Sequence, residues 1–339
     1  MRTGGFPKIL ASLTLLFAAV SAAAQTPQAT PPPPSKPRSV QFPKPVEKTL
    51  ANGLRVIVVQ RSQMPLVTAQ LLIKSGAEVD PPKLSGIADM TGTLLTRGTK
   101  TRSATQIAEA IEALGGRINS GAGWDSSSVT TNLMSSRIEP AMEILSDLVR
   151  NPAFSQAEID RLRGQYLNTL RVSLGQPGTV ARYVASRVVF GDAPYGHPLP
   201  GTAESLPLIK REDIVALHAT YYRPDNAILI IGGDIAPQSG FALAQKVFGD
   251  WTKPQAELPK ITVSNPTASG NRRVVVIDIP GAGQAAVLAT RVSVNRGSPE
   301  YFRALVTNAV LTGYSGRLNS EIRIKRGLSY GAGSVLETR

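Results

Sequence analysis

Two stretches of this 339-residue chain run in the same order, two apolar strands and then a buried helix, and that repeat limits the fold more than any single residue does. In the first, TLANGLRVIVVQ sets an Asn52-Gly53 turn before a strand from Leu54 to Val59. PLVTAQLLIKSGA (Pro65 to Ala77) reads as the second strand, and a buried helix follows from Ser85. After Asn271 the order returns: RRVVVIDIP, then AAVLATRVSV, then the helical YFRALVTNAVLTG from Tyr301 to Gly313. A supersecondary order used twice implies an α+β fold built from a duplicated sheet-plus-helices unit. The second unit, 271–339, is much shorter than the first and is expected to be truncated.

Between these stretches the helix signals are plain. Ser103-Ala-Thr-Gln106 is a capping box for a helix with Ile107, Ile111 and Leu114 on one face, closed at Gly115-Gly116. Ser126 to Ser135 alternates like a strand. Helices follow through Met142, Leu145 and Leu148, through Ile159, Leu162, Tyr166 and Leu170, and near Asp213 to Tyr222. Asn226 to Ile235 reads as a buried strand. The expected organisation is a signal peptide at 1–24, a proline-rich tether at 25–46, a first α+β domain at 47–251, a linker at 252–270 and the start of a second domain at 271–339.

The N-terminus gives an address. Arg2 and Lys8 precede the apolar run Ile9 to Ala24, which ends in Ala22-Ala23-Ala24, the pattern of a secretory signal peptide. The run is short for a membrane span, so an uncleaved anchor is the lesser alternative. The expected location is the periplasm. There is no cysteine, which excludes disulfides, a thiolate nucleophile and a Cys-based metal site. A net charge of +13 raises the question of nucleic acid. The basic residues are scattered and aromatics are 5% of the chain, the pattern of a solvated surface, so no nucleic-acid partner is expected.

Few residues carry obvious chemistry. The two histidines, His197 in a Pro/Gly-rich loop and His218 on a helix, lack the i, i+4 spacing of a helical metal pair and read as structural. No GxSxG elbow accompanies them. Gly281-Ala-Gly283 and Gly331-Ala-Gly333 lack the rest of a phosphate-binding fingerprint and read as turns. In SGRLNSEIRIKRGLSYGAGS, Arg317, Arg323, Lys325 and Arg326 lie on an expected helix ending at Gly327, with a strand starting at Leu328.

Taken together, TLANGLRVIVV, GIADMTGTLLTRGT, LGGRINSGAGWD, HATYYRPDNAILIIGGDI and GYSGRLNSEIRIKRGLSYGAGS resemble the insulinase (pitrilysin) family of metallopeptidases, in its processing-peptidase-like bacterial branch. The resemblance covers most of 48–339. It implies a helix bearing HxxEH, two zinc-binding histidines with a glutamate base between them. Here Asp89 and Thr93 stand at the histidine positions and Gly92 at the base, while Asn168 and Thr169 stand where the third ligand, a glutamate, belongs. No metal and no other cofactor is therefore expected in this chain. The resemblance also implies an Arg and a Tyr seven residues apart that bind substrate and stabilise the oxyanion, and Arg323 and Tyr330 keep that spacing.

The expectation is thus a non-zinc subunit that pairs with a zinc-bearing homologue as a heterodimer, acts on peptides through a composite site, and is inactive alone. A non-enzymatic peptide-binding or assembly module on the same fold is the alternative. An independent hydrolase of other chemistry is a third reading.

Overall fold

The computed structural model describes residues 35–36, 39, 42–260 and 273–337. The expected signal peptide, most of the tether and 261–270 of the expected linker lie outside the described residues. The chain divides into two compact units, Met1–Phe42 and Pro43–Arg339. Regular structure among the described residues belongs to the second.

Its centre is a six-stranded sheet of β1 (Val46–Thr49), β2 (Arg55–Gln60), β3 (Leu66–Ile73), β4 (Arg117–Ala122), β5 (Ser127–Met134) and β6 (Ala227–Gly233). The spatial order is β1-β2-β6-β3-β5-β4. β6 pairs in parallel with β2 and antiparallel with β3, so the last strand in sequence is threaded into the middle of the sheet. Strand alternation explains which side is covered: Val56, Val58, Val67, Ala69, Leu71, Val129, Leu133, Leu229 and Ile231 are buried, while their neighbours are half-buried or exposed.

The helices cover that apolar face. They are α1 (Ile87–Leu94), α2 (Ala104–Ala113), α3 (Ile138–Arg150), α4 (Gln156–Leu174), α5 (Pro177–Phe190), α6 (Arg211–Tyr221) and α7 (Pro237–Phe248). α2 starts with the expected capping box, Ser103 taking the Gln106 N–H and Gln106 taking the Ser103 N–H. The Asn52 side chain donates to the Phe248 and Trp251 carbonyls at 2.7 and 3.0 Å, tying the β1–β2 turn to the end of α7. α1 and α3 pack on the β4–β5 end of the sheet and α7 packs on β2. None of the helices among the described residues is long and apolar enough to cross a membrane.

Beyond residue 273 the structure is sparser than the sequence pattern implies. α8 (Tyr301–Leu311) forms as expected, followed by α9 (Arg317–Asn319), whose backbone continues as a π-helical segment, Ser320–Lys325. The strands expected in RRVVVIDIP, in AAVLATRVSV and from Leu328 are not formed among the described residues. Apolar alternation makes a strand only where a neighbour takes up its N–H and C=O groups, and here no described segment does so. Val274, Val276 and Val287 are accordingly 88, 87 and 96% exposed.

Candidate functional site

α1 carries the positions at which a metal would be sought. Its first turn is capped from outside the helix: the Asp80 carboxylate accepts the Gly86 N–H at 2.6 Å and the Ala88 N–H at 3.0 Å. No local sequence pattern marks this cap, because the accepting side chain lies six residues before Gly86. Burial pushes Asp80 up to about 8 against the pull of those two N–H groups, and burial likewise raises Glu78 to about 7.

One turn further along, Asp89 is half-buried. Burial raises its carboxyl, while hydrogen bonds from the Tyr166 hydroxyl and the Ala122 backbone hold it down. The Tyr166 hydroxyl also lies 3.1 Å from Thr93 Oγ1. Tyr166 reaches this point from α4 and is itself raised by burial and by the Asp89 charge. The helical spacing marked Tyr166 as a core-facing residue; its hydroxyl, spanning Asp89 and Thr93, is the functional part that spacing could not show.

Gly92 closes the space between these two side chains. A Cβ there would lie 2.7 Å from the Gly121 carbonyl carbon and 2.9 Å from the Ala122 nitrogen, because α1 presses directly on β4. No side chain fits at that position without moving backbone. Asn168 and Thr169 are exposed on α4, and Asn168 is engaged with Arg171 in its own helix. Among the described residues no group of three or more His, Cys, Asp or Glu side chains could hold a metal ion.

The histidines are both built into the scaffold. His218 bonds the Val149 carbonyl through Nε2 at 2.8 Å, stacks on Tyr222 and meets Phe154 edge-on. Burial lowers it to about 4. His197 bonds the Pro198 carbonyl through Nδ1 at 2.9 Å and lies against Trp124.

Arg323 and Tyr330 do come together. They line one shallow concavity with Gly313, Tyr314, Asn319 and Gly331–Gly333. The Arg323 guanidinium lies 5.4 Å from the Tyr314 ring centroid, and Asn319 donates to the Tyr314 carbonyl at 2.6 Å, fixing the turn that presents this ring. Glu321 is taken by Lys325 at 2.9 Å and Arg326 at 3.0 Å, and no ion pair to Arg323 occurs among the described residues. Gly327, at φ +60°, ends the helical segment between the two residues. Tyr330 is 88% exposed.

Comparison with known families places the chain as a whole. Residues 55–202 match the family model for Insulinase (Peptidase family M16), and residues 209–338 match the model for Peptidase M16 inactive domain. This chain belongs to the insulinase family. An uncharacterized zinc protease of Rickettsia bellii is 26% identical over 290 residues, which cover 84% of this chain and 68% of that protein. One from Mycobacterium leprae is 24% identical over 289 residues, covering 85% of this chain and 65% of its own. The chain thus spans about two thirds of the length of these insulinase-family relatives. The crystal structure of a peptidase M16 inactive domain from Pseudomonas fluorescens matches with a TM-score of 0.76 at 26% identity, over 87% of this chain and 71% of that one. A Helicobacter pylori protease gives 0.78 at 22% identity over the same shares, and shows the same fold. The first half of the periplasmic protease PqqL from Escherichia coli gives 0.60 at 20% identity, over 68% of this chain and 50% of that one.

Zinc does not fit this insulinase-family chain at α1. The one carboxylate at the compared positions, Asp89, is already bonded to Tyr166 and Ala122. Thr93 offers a hydroxyl, a weak zinc donor beside imidazole or carboxylate. The base position, Gly92, has no room for glutamate.

Proposed function

We propose that this chain is the non-zinc subunit of a periplasmic insulinase-family peptidase. It pairs with a zinc-bearing homologue and contributes Arg323 and Tyr330 to a composite site that hydrolyses peptides. The observation that carries this reading is the contrast between the two candidate sites. The α1 positions are closed by the Tyr166 hydroxyl and the Gly92–β4 contact, whereas Arg323 and Tyr330 share one concavity and, among the described residues, pair with no carboxylate. A guanidinium and a phenol O–H are the donors needed where negative charge develops on a substrate carbonyl. The basic, apolar and small-residue pattern of 1–24 supports export.

A second reading, a non-enzymatic peptide-binding module, draws on β4. It is an edge of the sheet, and its outward ladder is open to an added extended strand. The two readings separate on mixing the purified chain with a zinc-bearing homologue that carries HxxEH. The composite site requires association and a gain in peptide hydrolysis over either chain alone. Peptide binding by this chain with no such gain supports the binding module instead. Chelator-sensitive cleavage by this chain alone contradicts both.

A further inference from the structure

The loop between α5 and α6 meets the start of α1 through a pair that the proposed function does not use, a half-buried His197 and a buried Asp80. His197 Nδ1 bonds the Pro198 carbonyl, which can only accept, so in the neutral ring the proton sits on Nδ1 and Nε2 is a lone pair. That buried Nε2 has no hydrogen-bond partner among the described residues, and it lies 3.9 Å from Asp80 Oδ2. Asp80 is buried as well, and Oδ2 already accepts the Gly86 N–H. Two acceptors facing each other at a largely buried point repel unless a proton lies between them.

We propose that Asp80 and His197 form a one-proton latch that fastens the 191–199 arm of this loop to the N-terminal turn of α1. A proton taken from solvent sits either on the carboxyl, donating to Nε2, or on the imidazole, donating to the carboxylate. Both forms carry the same net charge, and both need the N···O distance to shorten to bonding range. Loss of that proton leaves a carboxylate facing a lone pair, and the arm loosens.

The rest of the setting favours a device with one ionisable tie. Further along, the loop is fixed by neutral contacts, with Ser205 Oγ donating to the Ser85 carbonyl at 2.8 Å. The arm itself is held by the Tyr195 hydroxyl on Asp125 and by Tyr195 and His197 against Trp124. The titratable groups around the pair are Glu78 and Asp89, which act on Asp80, and Asp125 and Tyr221, which couple to Glu78. All four are acids, so they favour keeping a proton in this neighbourhood. Burial lowers His197, with the Pro198 and Ala77 backbone opposing it, and raises Asp80, so the proton in the pair is retained through neutral pH and lost on the alkaline side.

The test uses the intact chain and needs no partner. Amide hydrogen exchange across 191–199, corrected for intrinsic chemistry, is measured from pH 6 to 9.5. The latch predicts that protection falls about tenfold or more with rising pH in the wild type, and that this dependence is lost in Asp80→Asn and His197→Gln. Flat protection in the wild type overturns the latch, as does an unchanged pH dependence in both variants. NMR titration of the His197 ring and the Asp80 carboxyl in the wild type keeps the proposal testable if a variant fails to fold. A single shared step supports it, and two independent steps overturn it.

Discussion

The helix α1 and the segment 313–333 are treated oppositely by the same chain. In α1 every chemically interesting position is tied off: Asp89 and Thr93 share one tyrosine hydroxyl, and Gly92 is pressed against β4. In the later segment Arg323 and Tyr330 line an open concavity, and the nearby carboxylate is bonded to other cations. Polar groups in a closed region must be satisfied internally, and the Tyr166 hydroxyl does that for Asp89 and Thr93. A site that acts on something outside the chain must stay unsatisfied. On the proposed reading, α1 serves as scaffold and the chemistry of this chain lies with Arg323 and Tyr330.

The largest effect is expected from reopening the closed side. Gly92→Glu, which returns a carboxylate to the base position, forces side-chain atoms into the Gly121–Ala122 backbone. It should destabilise the chain by about 3 kcal/mol or more, read as a lowered thermal midpoint, and should fail to confer zinc binding by calorimetry. A tolerated, zinc-binding Gly92→Glu chain would break the comparison at its root.

The next effect is pH dependence. Glu78 is raised from 4.5 to about 7 and Asp80 from 3.8 to about 8, so the fold favours their protonated forms. Their stabilising contribution is complete below the unfolded values and is lost as pH climbs through 7 to 8. The thermal midpoint should therefore fall between pH 6 and 9, by an amount worth on the order of 2 kcal/mol, and Asp80→Asn should flatten the profile. His218, lowered to about 4, works in the opposite sense: its contribution is present above its unfolded value and is lost in acid. A midpoint that rises steadily to pH 9 would contradict the assignment of these burial effects.

Tyr166→Phe tests the tie itself. Losing the hydroxyl leaves Asp89 and Thr93 short of a partner, and the cost should be about 1–2 kcal/mol by chemical denaturation. Combined with Asp89→Asn it should cost less than the sum of the two single changes, since both act on one network. Strict additivity would mean that the network is not coupled. The smallest effect belongs to the open side. Arg323→Ala and Tyr330→Phe should each change stability by about 0.5 kcal/mol or less, because neither side chain is buried.

Much of the first unit was legible in the sequence because its signals are local. The Ser103 capping box, the alternation in β2, β5 and β6 and the apolar spacing of α3 and α4 each arise within about a dozen residues, and each element formed. β4, whose sequence is RINSGA, was not legible: it is polar, and its partner β5 makes it a strand. α5 was missed despite Pro177 at its first turn. The second unit erred the other way, since apolar alternation around Val274 and Val287 gave strands for which no described partner exists. At the candidate site, the motif resemblance directed attention to Asp89, Gly92 and Thr93, but not to the Tyr166 and Gly121 contacts made there. Those contacts join residues 29 to 73 apart and have no local signature.

On the proposed function, Arg323 and Tyr330 act on substrate in an assembly whose metal comes from another chain. The most direct measurement is steady-state peptide hydrolysis by the reconstituted pair at saturating association, comparing wild type with Arg323→Ala and Tyr330→Phe, with complex formation followed by size exclusion. Association should be unchanged and kcat should fall about 10²-fold or more for Arg323→Ala, the scale expected when an oxyanion donor is removed. Full activity in an assembled pair carrying both substitutions would contradict it.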